Sequence, residues 1–382
     1  MIIPNGPWDP PQAAMTVPAG RPGRLVFAGE AIVDVLMRVP GLPERGGDLL
    51  ATSAEVAVGG GFNVMAAAAR HGLPVLYAGG HGTGPWGDLV RAALVAEGIG
   101  LLRPPDPSRD TGFDVALVEP DAERTFVTNL GAESAGDPGS WDSVPAGPGD
   151  AVYVSGYGLV APGSGPRLAV WAAALPPEVL LFFDPGPLVG QIPADALDPV
   201  LARCDWLSCN AREAALLSGV TAVPEAALLS AAALEEAASR LLTRTARAGV
   251  IVRVGPDGCF LAPRPQAASE TRPQAASETR PQAASETRRS AQDAAPAPDV
   301  LPARARDVPS APVHLLAPAV HAVDTTGAGD AHSGVFLAAL ADGLPAADAA
   351  RRANEAAALA VTRPGPATSP TRAELDAWLA RH

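Results

Sequence analysis

The chain has 382 residues, 47% of them hydrophobic, which is enough to bury the core of one large domain. Its formal net charge of −13 argues against non-specific binding to a nucleic-acid backbone. All 28 basic residues are arginine, which excludes a Walker A lysine, a protein-kinase strand lysine and a pyridoxal Schiff base.

Residues 1–23 are Pro-rich and aperiodic and read as a disordered leader; Pro4, Pro7, Pro10 and Pro11 interrupt any signal-peptide core. No run is long and apolar enough to span a membrane. Three cysteines without a C-x-x-C pair (Cys204, Cys209, Cys259) suit reduced thiols in the cytoplasm. RLVFAG (24–29) predicts a buried first strand. In the following GEAIVDVL, Asp34 sits among Ile32, Val33 and Val35; a surface acid at a strand end and a site residue fit equally. Residues 42–58 alternate and contain turn residues, which predicts strands of a small sheet outside the main one. VGGGFNVMAAAARHG (58–72) places three glycines before a small-residue helix. It is not G-x-G-x-x-G, so the dinucleotide fingerprint does not apply, and alone it reads as a tight turn.

Residues 74–80 predict a strand, 86–98 a helix, and 111–130 a hairpin turned at PDAE and carrying Arg124. From Asp150 strands and helices alternate: AVYVS, VLLFFD and WLSCN read as strands, with GPRLAVWAAAL as a helix after the first. This rhythm predicts a parallel sheet covered on both faces, with ligands at the carboxyl ends of its strands. Asn210 and Glu213 form N-x-x-E at one such end, which alone is a helix cap. Residues 228–248 predict a helix. GVIVRVGPDG (249–258) predicts a strand and a turn at Gly255 and Gly258, with Arg253 either lining a pocket or held in a structural ion pair. Three copies of RPQAASET begin at Arg264, and residues 264–312 read as a disordered insert in a surface hairpin loop.

Residues 322–340, AVDTTGAGDAHSGVFLAAL, run from a Gly-rich turn into an apolar helix. Gly327, Ala328 and Gly329 leave backbone N–H groups accessible, and such a turn opening a helix is an anion site. A lone Asp before a helix is usually its N-cap. Beside an anion-binding turn, Asp330 also fits a base that takes a proton from an attacking hydroxyl. Residues 346–362 predict a helix containing Asn354, and RPGPATSPT (363–371) a loop.

DTTGAGDAHSGVFLAAL resembles the C-terminal signature of the ribokinase-like (PfkB-type) carbohydrate kinase family, and VGGGFNVMAAAARHG its N-terminal one. The resemblance spans residues 24–382, interrupted by the insert. It implies a three-layer α/β/α sandwich with a small β-sheet lid from residues 42–58 and 111–130. It also implies ATP-dependent phosphorylation of a sugar hydroxyl, with Asp330 as base and Gly327, Ala328 and Gly329 as anion hole. Asp34, Gly60, Gly61 and Asn63 would hold the sugar, with Arg124 reaching it from the lid. Asn210 and Glu213 would order Mg²⁺ and the phosphates, Glu213 through water. Arg253, Gly255, Gly258 and Asn354 would face the nucleotide. Asp324, Thr326, Gly365 and Ser369 would surround a monovalent cation such as K⁺. His332 departs from the aromatic residue of many members, which is read as a packing change. The partners implied are a sugar and ATP, with no nucleic acid or membrane, and a homodimer through the lid. A nucleoside kinase is the alternative, with Phe62 and Phe113 as the aromatic candidates near the sugar. A phosphosugar kinase would need a cationic grip from Arg124 or Arg109. A catalytically silent sugar-binding protein would lack the base or the anion hole, and both are present.

Overall fold

Residues 21–120, 123–135, 141–161, 163–220, 230–244, 247–264 and 311–381 are described by a computed structural model. The expected leader and insert lie outside them, apart from residues 21–23, 264 and 311–312. Strand β1 (Arg24–Ala28) shows how the layers arise. Its side chains alternate across the sheet, so Leu25 and Phe27 enter one apolar core while Val26 and Ala28 enter another. A strand buried on both faces reads as a continuous apolar run, and RLVFA does.

The chain then leaves the main sheet. Strands β2 (Ala31–Arg38) and β3 (Ser53–Gly60) pair antiparallel in a second sheet. Helix α1 (Phe62–Arg70), strand β4 (Val75–Tyr77), helix α2 (Pro85–Ala96) and strand β5 (Gly100–Leu101) return to the main sheet. Strands β6 (Phe113–Val118) and β7 (Arg124–Asn129) complete the second sheet, in the order β3-β2-β6-β7. The rest alternates: β8 (Asp150–Ser155), α3 (Gly156–Val160), α4 (Gly165–Ala174), β9 (Leu180–Asp184), α5 (Ala194–Arg203), β10 (Trp206–Asn210), α6 (Ala211–Ser218), α7 (Ala231–Arg244), β11 (Gly249–Arg253), β12 (Cys259–Pro263) and β13 (Val313–Leu315). Helices α8 (Ala328–Ala341), α9 (Ala346–Ala360) and α10 (Arg372–Leu379) close the chain.

Among the described residues the main sheet has the order β13-β12-β11-β10-β9-β8-β1-β4-β5, with all strands parallel except β12, which runs antiparallel to both β11 and β13. Met65 of α1, Val335 of α8 and Ala353 of α9 pack in the core of Leu25 and Phe27. Leu168 of α4, Val200 of α5 and Leu241 of α7 pack in that of Val26 and Ala28. The result is the expected three-layer α/β/α sandwich. Strand order reverses between β1 and β8, so a crevice opens at their carboxyl ends, where ligands bind in such sheets.

One element reading needs correction. Residues 42–52 form no strand: Pro43, Gly46 and Gly47 interrupt pairing, Leu50 is 86% exposed, and β3 begins only at Ser53. Residues 31–38 carry Asp34 into the second sheet, where β2 lies between β3 and β6.

Candidate active site

At the carboxyl ends of β1 and β8, between the two sheets, lies a cavity of about 650 Å³, within the usual range for small-molecule sites. Three strands of the second sheet present a residue to it in register: Asp34 of β2 stands beside Asp114 of β6, and Asp114 opposite Thr128 of β7. Gly59 in β3 makes room for this, because a Cβ there would overlap the Asp34 carboxyl. Gly60, Gly61 and Asn63 line the cavity from the start of α1.

The opposite wall is the start of α8. Gly327 precedes the helix at φ +73°, a conformation suited to glycine. No side chain caps this helix end. Asp330 is therefore not an N-cap; it is the third helical residue, and its Oδ2 accepts a hydrogen bond from Asn63 Nδ2 at 3.0 Å. Burial is the main reason the Asp330 carboxyl is pushed up to about 6; the Asn63 hydrogen bond opposes it and the Asp184 carboxylate adds to it.

Several lining groups carry no obvious sequence signal. Glu30 follows β1 at the strand-order reversal, and Ser155 Oγ at the end of β8 donates to its Oε1 at 3.0 Å. Burial pushes Glu30 up to about 8. Asp34 also rises to about 8, through burial and then through the neighbouring Asp114 carboxylate. Asp114 is pushed up to about 6 by burial. Asp184 ends the apolar run LLFFD of β9; an acid closing a buried parallel strand was the available cue.

Arg253 at the end of β11 joins both readings made for it. It lines the cavity, and its Nη1 donates to Asp184 Oδ2 at 2.7 Å, to Ser208 Oγ at 2.6 Å and to Ser333 Oγ at 3.3 Å. Asn210 and Glu213 form a capping box on α6, and Asn210 Nδ2 also donates to Glu213 Oε1, so both Glu213 carboxylate oxygens already accept hydrogen bonds.

Other expected residues are placed elsewhere. Arg124 is turned away from the cavity; its guanidinium pairs with Asp324 Oδ1 and donates to Thr325 Oγ1 at 3.1 Å. Arg109 is exposed and paired with Asp106 at 3.3 Å. Gly255 and Gly258 sit in the turn between β11 and β12 and do not line the cavity. Asn354 is buried in α9, where its Nδ2 donates to Leu315 O at 2.9 Å and so ties β13 to the helix. Asp324 accepts from the N–H groups of Thr326 at 2.8 Å and Gly365 at 3.1 Å, besides Arg124. Ser369 is buried, and its carbonyl accepts from Arg70. His332 is buried against Phe336, and burial pushes it down to about 3, which fits the packing role read for it. Phe62 and Phe113 pack in the core or against Trp86, not on the cavity; Phe126, Trp141 and Tyr157 line it instead.

The sequence matches the family described as pfkB family carbohydrate kinase over residues 23–278 and 308–373. It is 30% identical over 353 residues to the uncharacterized sugar kinase YegV of Escherichia coli, covering 92% of each chain. The fold is similar to that of a ribokinase from Arabidopsis thaliana, solved with ribose and ATP (TM-score 0.64, 20% identity, 94% of this chain and 99% of that one). It is similar also to a Burkholderia thailandensis nucleoside kinase solved with inosine (TM-score 0.64, 19% identity, 94% and 96%). With that match covering most of its length, the chain belongs to the pfkB family of carbohydrate kinases, phosphotransferases with a sugar hydroxyl as acceptor.

Proposed function

We propose that the protein transfers the γ-phosphoryl group of ATP to a hydroxyl of a sugar, with Asp330 as base. The observation that carries this reading is the Asp330 carboxyl standing at an uncapped, Gly-rich helix start while facing the same cavity as Asp34. Asp34, Gly60, Gly61 and Asn63 orient the sugar. Asp330 takes the proton of the attacking hydroxyl, and Asn63 fixes which of its oxygens is free to do so. The N–H groups of Gly327, Ala328 and Gly329 stabilise charge on the transferred group. Arg253, paired with Asp184, stands behind that turn beside Gly329.

Mg²⁺ fits at the phosphate end. Among the described residues no three His, Cys, Asp or Glu side chains are grouped to hold a metal. Glu213 and Asp184 line the same cavity, and Mg²⁺ usually keeps several waters and is bound through one or two carboxylates and the nucleotide phosphates. Glu213 and Asp184 would hold it through water, and the ion supplies neutralisation of phosphate charge. For K⁺, the Asp324 carboxylate already accepts from the Arg124 guanidinium and two N–H groups, while Thr326 Oγ1 and Ser369 Oγ are buried with no hydrogen-bond partner, so these hydroxyls are the expected ligands left open to a cation. Three buried free cysteines suit a reducing compartment, and we place the protein in the cytoplasm. Among the described residues no helix is long and apolar enough to cross a membrane.

The aromatic lining of Phe126, Trp141 and Tyr157 favours a second reading, a nucleoside acceptor whose base lies against these rings. The deciding experiment is ATP-dependent phosphorylation across pentoses, hexoses, their phosphates and nucleosides, with Asp330→Asn as control. Turnover surviving in that variant would remove Asp330 from the mechanism.

The raised Asp330 carboxyl predicts a pH dependence. Below about 6 it is protonated and cannot accept the hydroxyl proton, so kcat/KM should fall tenfold per pH unit there. An acid limb near 4, the range of an ordinary Asp, would show that its burial does not control the reaction.

The second sheet supports a homodimer. Val56, Val35, Val115 and Val127 align across its four strands on the face opposite Asp34. Val56 and Val127 are 52% and 65% exposed. An apolar row on a sheet face marks an interface. Val127→Glu should convert a dimer to monomer in sedimentation velocity; a monomeric wild type would end the proposal.

A further inference from the structure

The charge of the cavity limits what it can accept. Arg253 is the one cationic side chain among its described lining residues, and it is committed to Asp184. Glu133 is also committed, since its carboxylate accepts the N–H groups of Gly112 at 2.8 Å and Gly131 at 2.6 Å. At the acceptor end this leaves Glu30, Asp34 and Asp114. Glu30 Oε2, Asp114 Oδ1 and Asn63 Oδ1 are buried and have no hydrogen-bond partner. Asp114 and Asn63 are only 8% and 5% exposed. Buried acceptors of this kind are costly unless a donor arrives.

We propose that the acceptor carries no anionic group and that its hydroxyls donate to Glu30, Asp34 and Asp114, making Glu30 and Asp114 specificity-determining residues of this kinase. The inference rests on the sugar-kinase reading. A polyol supplies several O–H donors on one face, which matches the unpartnered oxygens of Glu30, Asp114 and Asn63 lining one cavity. A sugar phosphate or sugar acid would set its negative charge against the Asp114 carboxylate and hold Glu30 and Asp34 in their neutral forms, with no uncommitted cation among the described lining residues to offset it. Like charges brought together in this way cost several kcal/mol. Arg124 and Arg109, the side chains that could have gripped a phosphate, are paired elsewhere. Burial already favours the neutral form of Glu30 and Asp34, and a neutral carboxyl both donates to and accepts from a hydroxyl.

The test compares matched sets of neutral sugar, its sugar acid and its phosphate as acceptors, and measures binding of each by quenching of tryptophan fluorescence, since Trp141 lines the cavity. The neutral member should exceed both anions at least about 100-fold in kcat/KM. Glu30→Gln and Asp114→Asn should each raise its KM about tenfold, as expected for a lost buried hydrogen bond. An anionic acceptor used as well as the neutral one overturns the inference and leaves the kinase reading intact, as does an unchanged KM in both variants. If no acceptor turns over, the kinase reading fails. The binding order then still decides the inference, and tighter binding of an anion, or no binding of any neutral sugar, overturns it.

Discussion

Asp330→Asn should lower kcat by about 10²–10⁴-fold, the contribution expected of one positioned general base. KM for the acceptor should change little, because the amide keeps an oxygen that can accept from Asn63 Nδ2. The variant should be at least as stable as the parent. The Asp330 carboxyl is raised to about 6 mainly by burial, so its charged form is disfavoured where it stands, and a neutral isostere relieves that. Loss of rate with an unchanged or raised melting temperature separates a missing base from a misfolded protein. Loss of rate together with a lowered melting temperature would mean that Asp330 holds the start of α8 in place and does not serve as the base.

Arg253→Met should destabilise the fold by about 3–5 kcal/mol, the usual result of removing one partner of a buried ion pair. The guanidinium and the Asp184 carboxylate have side-chain exposures of 14% and 10%, and the same nitrogen holds Ser208 and Ser333. The substitution leaves Asp184 and two hydroxyls without their donor. Urea unfolding measures the loss. Lysine is a poor substitute, since an ammonium lacks the planar fork that reaches several acceptors at once. An unchanged unfolding midpoint with a raised KM for ATP would assign Arg253 to the nucleotide alone.

The parts of the site that were legible in the sequence are those with a backbone requirement. Gly327 and the glycines before α1 stand where the chain must turn tightly, and such positions leave a pattern in one dimension. Alternation of short apolar runs with helices likewise announced the parallel sheet. Asp34 could be suspected because it interrupts an apolar strand. Glu30 and Asp114 could not, because each becomes a site residue only through strand pairing: Asp114 by lying beside Asp34, Glu30 by meeting Ser155 across the reversal in strand order. Arg124 misled for the same reason. Its place on a hairpin over the cavity was evident, but the direction of its guanidinium depends on Asp324, 200 residues away. Asn354 and Glu213 show a further limit, since a polar residue at a helix start or interior can serve the backbone as readily as a ligand.

The hydrogen bond between Asn63 and Asp330 joins residues 267 apart in the chain. On a ribosome adding 5–20 residues per second, roughly 10–50 s separate the two. Throughout that interval α1 has been made, but α8, whose Gly334 packs closely against Ala67 and Val64, has not. The nascent chain must hold an unpaired apolar helix face and the sheet carrying Asp34 and Asp114 until the C-terminal helices emerge. The site is thus completed only after every described strand of both sheets has been made, and a prematurely terminated chain could carry the sugar-side groups without the residue proposed to act on them.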